Sequence, residues 1–228
     1  MLETSNRGVG LIVEQAFQRR PYDAVIFDLL TALLDSWRLW NAVAGSESAG
    51  LKWRKAYLGL TYDAGAYRPY EDIIREAAAA AGIAPDVAET LIARWSDLRP
   101  WAEAVSVLSE LRRRGVKLGV ATNSSNALAE HALAAAGSFD AKLFDAVATA
   151  ESAGFYKPRP EPYQLALRLL GTDPARTLFV AGSAADVPGA TAVGMPVYWH
   201  NRVGLPAVGA VEPMRTERSL TPILTLVL

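Results

Sequence analysis

An α/β chain is the fold class this sequence predicts: a Rossmann-like doubly wound parallel sheet core with an inserted all-helical cap domain. Three observations predict it. Short, β-rich apolar runs recur along the chain, helical patterns separate them, and the stretch 37–99 carries helical patterns with no convincing strand. Strands that alternate with helices make βαβ units, and βαβ units make parallel sheets.

The elements follow in chain order. The first strand covers 24–27, a short apolar run that stops at Asp28 and reads as buried. Four similar runs lie at 116–121, 146–149, 178–181 and 196–199. Between them, apolar residues at helical spacing mark helices at 102–114, 126–136 and 162–170, each ending near a glycine. A weaker helix covers 184–193, with Pro188 in its first turns. Inside the insert the helical candidates are 40–44, 51–63, 70–81 and 85–98. The alanine run 77–81 is a strong helix former that ends at Gly82. These patterns divide the chain into an N-terminal extension (1–22), a core domain (23–36 with 100–228) and a helical cap domain (37–99). The apolar tail 220–228 reads either as a last helix or as a dimer contact. A helical insert after the first strand belongs over the carboxyl edge of the sheet, where open α/β sheets bind ligands. The expected site is therefore a cleft between core and cap.

Composition narrows the chemistry. The 228 residues are 51% hydrophobic and 21% charged, with 23 basic against 24 acidic residues and a formal net charge of -1. That hydrophobic fraction excludes a disordered chain, and near-neutral charge argues against a general nucleic-acid binder. The absence of cysteine excludes disulfides, thiolate-ligated metals and a thiol nucleophile. Two histidines, His131 and His200, are too few for a multi-histidine metal site. His131 reads as part of a solvated helix face, and His200 as a structural residue that ends the last strand near the cleft. Neither fits a Ser-His-Asp triad, because no Gly-x-Ser-x-Gly elbow is present. No run of about 18 apolar residues spans a membrane, and the first residues do not resemble a secretory signal. A cytoplasmic protein without membrane or nucleic-acid partners is the expectation.

Polar groups stand at the strand ends. Asp28 follows the first strand and Thr122-Asn123-Ser124 the second. Lys157 lies in the loop after the third, and Ser183 with Asp186 follows the fourth. Two carboxylates, a hydroxyl with an amide, and a lysine on one sheet edge form a site constellation rather than a packing pattern. Each also has a structural reading. Asp28 would cap the next turn, Thr122-Asn123 would cap the helix from Asn126, and Lys157 would be a solvated loop residue.

The order Asp28, Thr122-Asn123, Lys157-Pro158 and Gly182-Ser183-Ala184-Ala185-Asp186 resembles the four motifs of the haloacid dehalogenase superfamily of hydrolases. The resemblance covers residues 23 to about 205. It implies that Asp28 is the nucleophile of a covalent aspartyl intermediate, that Lys157 holds it ionised, and that Thr122 and Asp186 complete the catalytic set. The phosphatases of that superfamily carry a second aspartate two residues after the nucleophile, where this chain has Leu30. They also bind magnesium through an aspartate after the glycine of the fourth motif, where this chain has Ser183. The 2-haloacid dehalogenases lack both groups, because halide leaves without a proton.

Three further stretches resemble that branch: Trp53 to Tyr62, Tyr156 to Tyr163, and Pro196 to Arg202. On this resemblance Arg54 and Asn123 cradle the halide, with Leu30, Ser183 and Tyr163 close to the substrate. No cofactor and no metal are implied. The partner is a small-molecule carboxylate, and a homodimer is possible. Arg54 keeps a second reading as an exposed arginine of a basic helix, and Tyr163 as a core residue. Trp53, Tyr57, Tyr62 and Tyr67 are expected mostly to pack the cap. The chain also departs from the dehalogenase pattern. Thr31-Ala32 stands where that branch has Gly-Thr, and Ala181-Gly182-Ser183 where it has Ser-Ser-Asn. A hydroxyl beside the nucleophile is thereby expected to be lost. Two alternatives follow, a phosphatase of small organic phosphates and a catalytically impaired binding protein.

Overall fold

The computed structural model describes residues 20–135 and 143–228. Most of the expected extension 1–22 and the last residue of the helix expected at 126–136 lie outside them.

Strand β1 (Ala24–Phe27) is buried at every position and forms the centre of a six-stranded parallel sheet. Its neighbours are β2 (Lys117–Thr122) and β4 (Thr177–Ala181), in register at Ala24↔Lys117 and Ala24↔Thr177. Beyond them lie β3 (Ala146–Thr149), β5 (Val197–His200) and β6 (Arg215–Glu217), in the order β3-β2-β1-β4-β5-β6. The chain winds outward to β3 and then returns to the other side of β1. The strand order therefore reverses between β1 and β4, and the crevice at their carboxyl ends is where such sheets bind ligands.

The period-2 pattern of each strand divides its side chains between two cores. Val25, Phe27, Leu118, Val120, Leu178 and Val180 join one core. Ala24, Ile26, Ala121, Ala148, Phe179 and Ala181 join the other. A Cβ at Gly119 would crowd Leu170 Cδ1 at 2.9 Å and Ile26 Cγ1 at 3.2 Å, so the helix that carries Leu170 packs close against β2 here.

The helices of the insert are α1 (Ser36–Ala44), α2 (Glu47–Asp63), α3 (Tyr70–Ala81) and α4 (Pro85–Ala93). A short 3-10 turn, Trp95–Asp97, closes the stretch that the sequence reads as one helix over 85–98. Helix α1 begins before the expected residue 40, because the Asp35 side chain accepts from the Arg38 N–H and caps it. The insert has its own aromatic centre. Ring centroids lie 4.8 Å apart for Trp40 and Trp53, 5.6 Å for Tyr57 and Tyr70, and 5.8 Å for Tyr70 and Trp95. Its two connections to the sheet run side by side and form an antiparallel bridge at Leu34↔Pro100.

The remaining helices are α5 (Ala104–Arg113), α6 (Asn126–Ala135), α7 (Ala150–Ala153), α8 (Pro160–Leu170), α9 (Asp186–Ala192) and α10 (Ile223–Val227). Helix α10 buries Ile223 and Val227 in the first core, so the tail forms a last helix. Besides the short helix α7 and a 3-10 turn at Pro174–Arg176, two elements that matter here escape the sequence patterns. Strand β6 reads Arg-Thr-Glu and stays half-exposed, as befits a short charged edge strand, so His200 ends the fifth strand and not the last. The other is a π-type turn, Leu29–Leu33, directly after β1, closed by the Leu34 N–H donating to the Leu29 carbonyl at 3.0 Å.

Candidate active site

The site begins with that turn. Asp28 is its N-cap, and one carboxylate oxygen, Oδ2, accepts from the Thr31 N–H at 2.8 Å, the Ala32 N–H at 3.1 Å and the Thr31 hydroxyl at 2.6 Å. The capping reading of Asp28 therefore holds, and it uses only one of the two oxygens. The other oxygen, Oδ1, accepts from Lys157 Nζ at 2.9 Å. The same ammonium donates to Asp186 Oδ2 at 3.0 Å, and the Tyr163 hydroxyl donates to Asp186 Oδ1 at 2.7 Å. Asp28, Lys157 and Asp186 are all buried, at 6%, 3% and 3% exposure, so this is no solvated loop lysine. Tyr163 is a core residue whose hydroxyl bonds Asp186; it is not on the cavity wall, so the structure does not bring it to the place expected for substrate.

Burial and pairing set the two carboxylates apart. For Asp28, burial favours the neutral acid. The Lys157 charge and the Thr31 and Lys157 hydrogen bonds outweigh it and hold the carboxyl below the usual range. For Asp186, burial and the nearby Asp28 charge prevail over Lys157 and Tyr163, and its affinity for a proton rises. Lys157 is held charged: burial opposes the ammonium, but two carboxylates more than offset it. One carboxylate poised to stay ionised beside one poised to accept a proton suits a nucleophile and a base.

The loop that carries Lys157 is fixed by Asn123. Its Oδ1 accepts from the Lys157 N–H at 2.6 Å, and its Nδ2 donates to the Lys157 carbonyl at 2.9 Å, which leaves one amide hydrogen for the cavity. Thr122 is fully buried at the end of β2, and its Oγ1 accepts from the Ser124 hydroxyl at 3.4 Å. It is not among the residues that line the cavity, and the structure does not bring it to the carboxylates.

The cavity above Asp28 measures about 40 Å³. Leu30, Asn123, Lys157, Ser183 and Asp186 line it from the sheet side, and Trp40, Arg54, Tyr57, Tyr62 and Tyr70 from the insert. Asp28 and Asp186 are the only carboxylates among its lining residues. Among the described residues, no group of three or more His, Asp or Glu is placed to hold a metal ion.

Arg54 is not the exposed arginine of a basic helix. It is 6% exposed, stacked 4.0 Å from the Trp37 ring, and donates through Nη1 to the Ser36 hydroxyl at 3.0 Å. Its Nε has no hydrogen-bond partner, and no described carboxylate pairs with it. A buried guanidinium without an acid partner, on the wall of a cavity, is a seat for an anion. Tyr57 and Tyr62, expected mainly to pack the insert, also line the cavity, whereas Trp53 packs and Tyr67 stacks on Tyr156. Burial and the Asp186 charge push the Tyr62 phenol up to about 12, although 41% of the residue stays exposed. His200 lies outside the cavity, with Nδ1 within 2.9 Å of the Ala32 carbonyl. His131 is exposed.

The structure corrects one expectation about the departures. The hydroxyl thought lost at Ala32 is present one residue earlier, on Thr31, and bonds Asp28 directly. Thr31 needs no positive φ, because the π-type turn keeps it in ordinary backbone space. Gly182 then becomes intelligible: a Cβ there would lie 2.3 Å from the Thr31 Oγ1 and 2.3 Å from the Ala32 nitrogen. The side chain that Gly182 lacks would occupy the space that Thr31 fills. The signal was present in the sequence, since a β-branched hydroxyl at 31 accompanies a glycine at 182. A linear motif does not show that the two meet.

Fold and site together define an α/β protein with two buried, lysine-bridged carboxylates at the carboxyl edge of a parallel sheet, beside a helical insert. Residues 22–194 match the family model of haloacid dehalogenase-like hydrolases, and the chain belongs to that family. It is similar to the (S)-2-haloacid dehalogenase of Xanthobacter autotrophicus, 30% identical over 219 residues, or 86% of this chain and 84% of the relative. It is 36% identical over 115 residues to the (S)-2-haloacid dehalogenase of Pseudomonas sp. (strain YL), a match to 50% of this chain that spans about half of that relative, 49%. Among solved structures, the L-2-haloacid dehalogenase RSc1362 superposes with a TM-score of 0.80 at 29% identity, covering 90% of this chain and 98% of that one. No helix among the described residues is long and apolar enough to cross a membrane.

Proposed function

We propose that this hydrolase is a 2-haloacid dehalogenase that cleaves the carbon–halogen bond of a small 2-halo carboxylic acid without a metal. The observation that carries this reading is Leu30, buried on the cavity wall where a phosphate ester would need a proton donor for its leaving alkoxide. Halide leaves as a stable anion and needs none. The relatives named for (S)-2-haloacid dehalogenation support the same substrate class.

Asp28 attacks through Oδ1, because Oδ2 is already held by three donors. The Asp28 oxygen bonds to C2 of the acid while the carbon–halogen bond breaks, and halide departs with the electron pair toward Arg54 and the remaining Asn123 amide hydrogen. Water then adds to the Asp28 ester carbonyl, with Asp186 taking its proton. The ester bond to Asp28 breaks, and that proton goes to the departing alkoxide of the 2-hydroxy acid. Lys157 keeps Asp28 ionised for attack. The reading makes 37–99 a cap domain over a core of 23–36 with 100–228, since both supply walls of one cavity.

Halide release from 2-chloropropionate tests this reading. Wild-type protein releases chloride, undiminished by a metal chelator, and Asp28→Asn falls by more than about a thousandfold. Unchanged release by Asp28→Asn would falsify the nucleophile assignment. Magnesium-dependent turnover of p-nitrophenyl phosphate, with no chloride release, would replace the reading with a phosphatase.

A further inference from the structure

A second cavity of about 230 Å³ adjoins the one above Asp28. The two share Thr31, Arg54, Leu58, Tyr62, Ser183 and Ala185 as walls, so only these side chains stand between them. The inner cavity, at about 40 Å³, takes only a few water-sized groups. The outer one is several times larger, and apart from Lys55 its own walls are apolar: Trp37, Leu51, Ala184, Leu205, Pro206 and Val208. Its only charged side chains are Arg54 and Lys55, both basic.

The outer cavity is a built feature rather than an open surface. Helix α2 supplies Leu51, Lys55 and Leu58 from one side, and the segment after β5 supplies Leu205, Pro206 and Val208 from the other. Buried Asn201 pins that segment, donating to the Leu205 carbonyl at 2.9 Å and accepting from the Leu205 N–H at 2.7 Å. Leu51 and Val208 remain 40% and 50% exposed, so large apolar side chains here stand in water when the cavity is empty. Apolar exposure beside a catalytic cavity marks a place where apolar ligand surface is received.

We propose that this outer cavity seats an apolar alkyl chain on C2 of the substrate, so that the preferred substrates are 2-halo acids with chains several carbons long. This rests on the dehalogenase reading and goes beyond it by naming the substrate class. The acid and halogen stay with the inner cavity and Arg54, and the chain leaves between Leu58 and Ala185. Each methylene removed from water is worth roughly fourfold in binding, so a few of them give a large preference even when the cavity is partly open.

The test compares kcat/KM for 2-bromopropionate, 2-bromohexanoate and 2-bromooctanoate, using the full chain. The expected result is a value about tenfold or more higher for 2-bromohexanoate than for 2-bromopropionate. The double substitution Leu51→Trp with Val208→Trp, at two exposed positions, fills the cavity with little risk to folding. It should lower the ratio of long-chain to short-chain kcat/KM about tenfold. Turnover of the short acid with no chain-length preference, or a ratio that the double substitution leaves unchanged, overturns the chain seat and leaves the dehalogenase reading intact. Failure of all three acids to release bromide overturns that reading and the inference with it.

Discussion

The sheet edge and the helical insert build opposite kinds of wall around one cavity. At the sheet edge, charge is buried against charge: Lys157 lies between Asp28 and Asp186, and every end of the trio has a partner. In the insert, one charge, Arg54, is buried against aromatic rings, and no carboxylate among the described residues forms an ion pair with it. A paired trio is set before substrate arrives, since its geometry and protonation follow from the strand ends alone. An unpaired cation gains its partner only when an anion binds. On the proposed reading, the sheet edge serves the covalent steps and the insert holds what is attacked and what leaves.

Substitutions on the two sides should separate these roles, beginning with the largest effect. Lys157→Met leaves two buried carboxylates facing each other without a cation, so the pair no longer stays doubly ionised and an ionised nucleophile and an ionised base are not present together. Turnover of 2-chloropropionate should fall about a thousandfold at neutral pH, as measured by chloride release. Arg54→Met keeps much of the bulk and removes the anion seat. The expected loss is about ten- to a hundredfold in kcat/KM, with chloride inhibiting the variant far less than the wild type. If Arg54→Met matched Lys157→Met in size and left chloride inhibition unchanged, the division between the two walls would fail.

Smaller effects sharpen the account within the core. Thr31→Val removes one donor to Asp28 Oδ2 while two backbone N–H groups remain. A loss of about tenfold in kcat is expected, with Thr31→Ser restoring most of it. A variant whose activity Ser does not restore would make Thr31 a packing residue only. The smallest change is a shift in pH dependence. Asp186 already binds its proton more tightly than a free carboxylate of pKa about 3.9, and the Tyr163 hydroxyl partly counters this by bonding the ionised form. With Asp186 as the proposed base, ester hydrolysis needs it ionised, so activity should be lost as pH falls through its raised pKa. Tyr163→Phe removes a bond to the charged form, and the acid limb of the kcat profile should move to still higher pH. A limb that stays in place or moves down would exclude Asp186 as the base.

The same contrast explains what the sequence made legible. Asp28, Lys157 and Asp186 could be read because each stands at the end of an apolar strand, and parallel strands bring their carboxyl ends together. The four helices of the insert were legible from periodicity, but their inner face was not. Arg54 sits among Lys52 and Lys55, and only the packing of α2 turns it inward while they stay exposed. Thr31 was misjudged because the π-type turn, which no propensity marks, places its hydroxyl where a motif places that of the next residue. Strand β6 went unseen because three polar residues at an edge carry no apolar pattern. Thr122 fits its motif, yet is fully buried and not on the cavity wall.

The central claim is that Asp28 becomes covalently bonded to substrate and is regenerated by water. A single turnover in water enriched in heavy oxygen, with enzyme in excess over 2-chloropropionate, tests it directly. The label is expected in the Asp28 carboxylate, detected by mass spectrometry of the peptide that carries it, while the released 2-hydroxy acid stays unlabelled. Label in the hydroxyl group of the product, with none in Asp28, would mean that water attacks the substrate itself and would contradict the account.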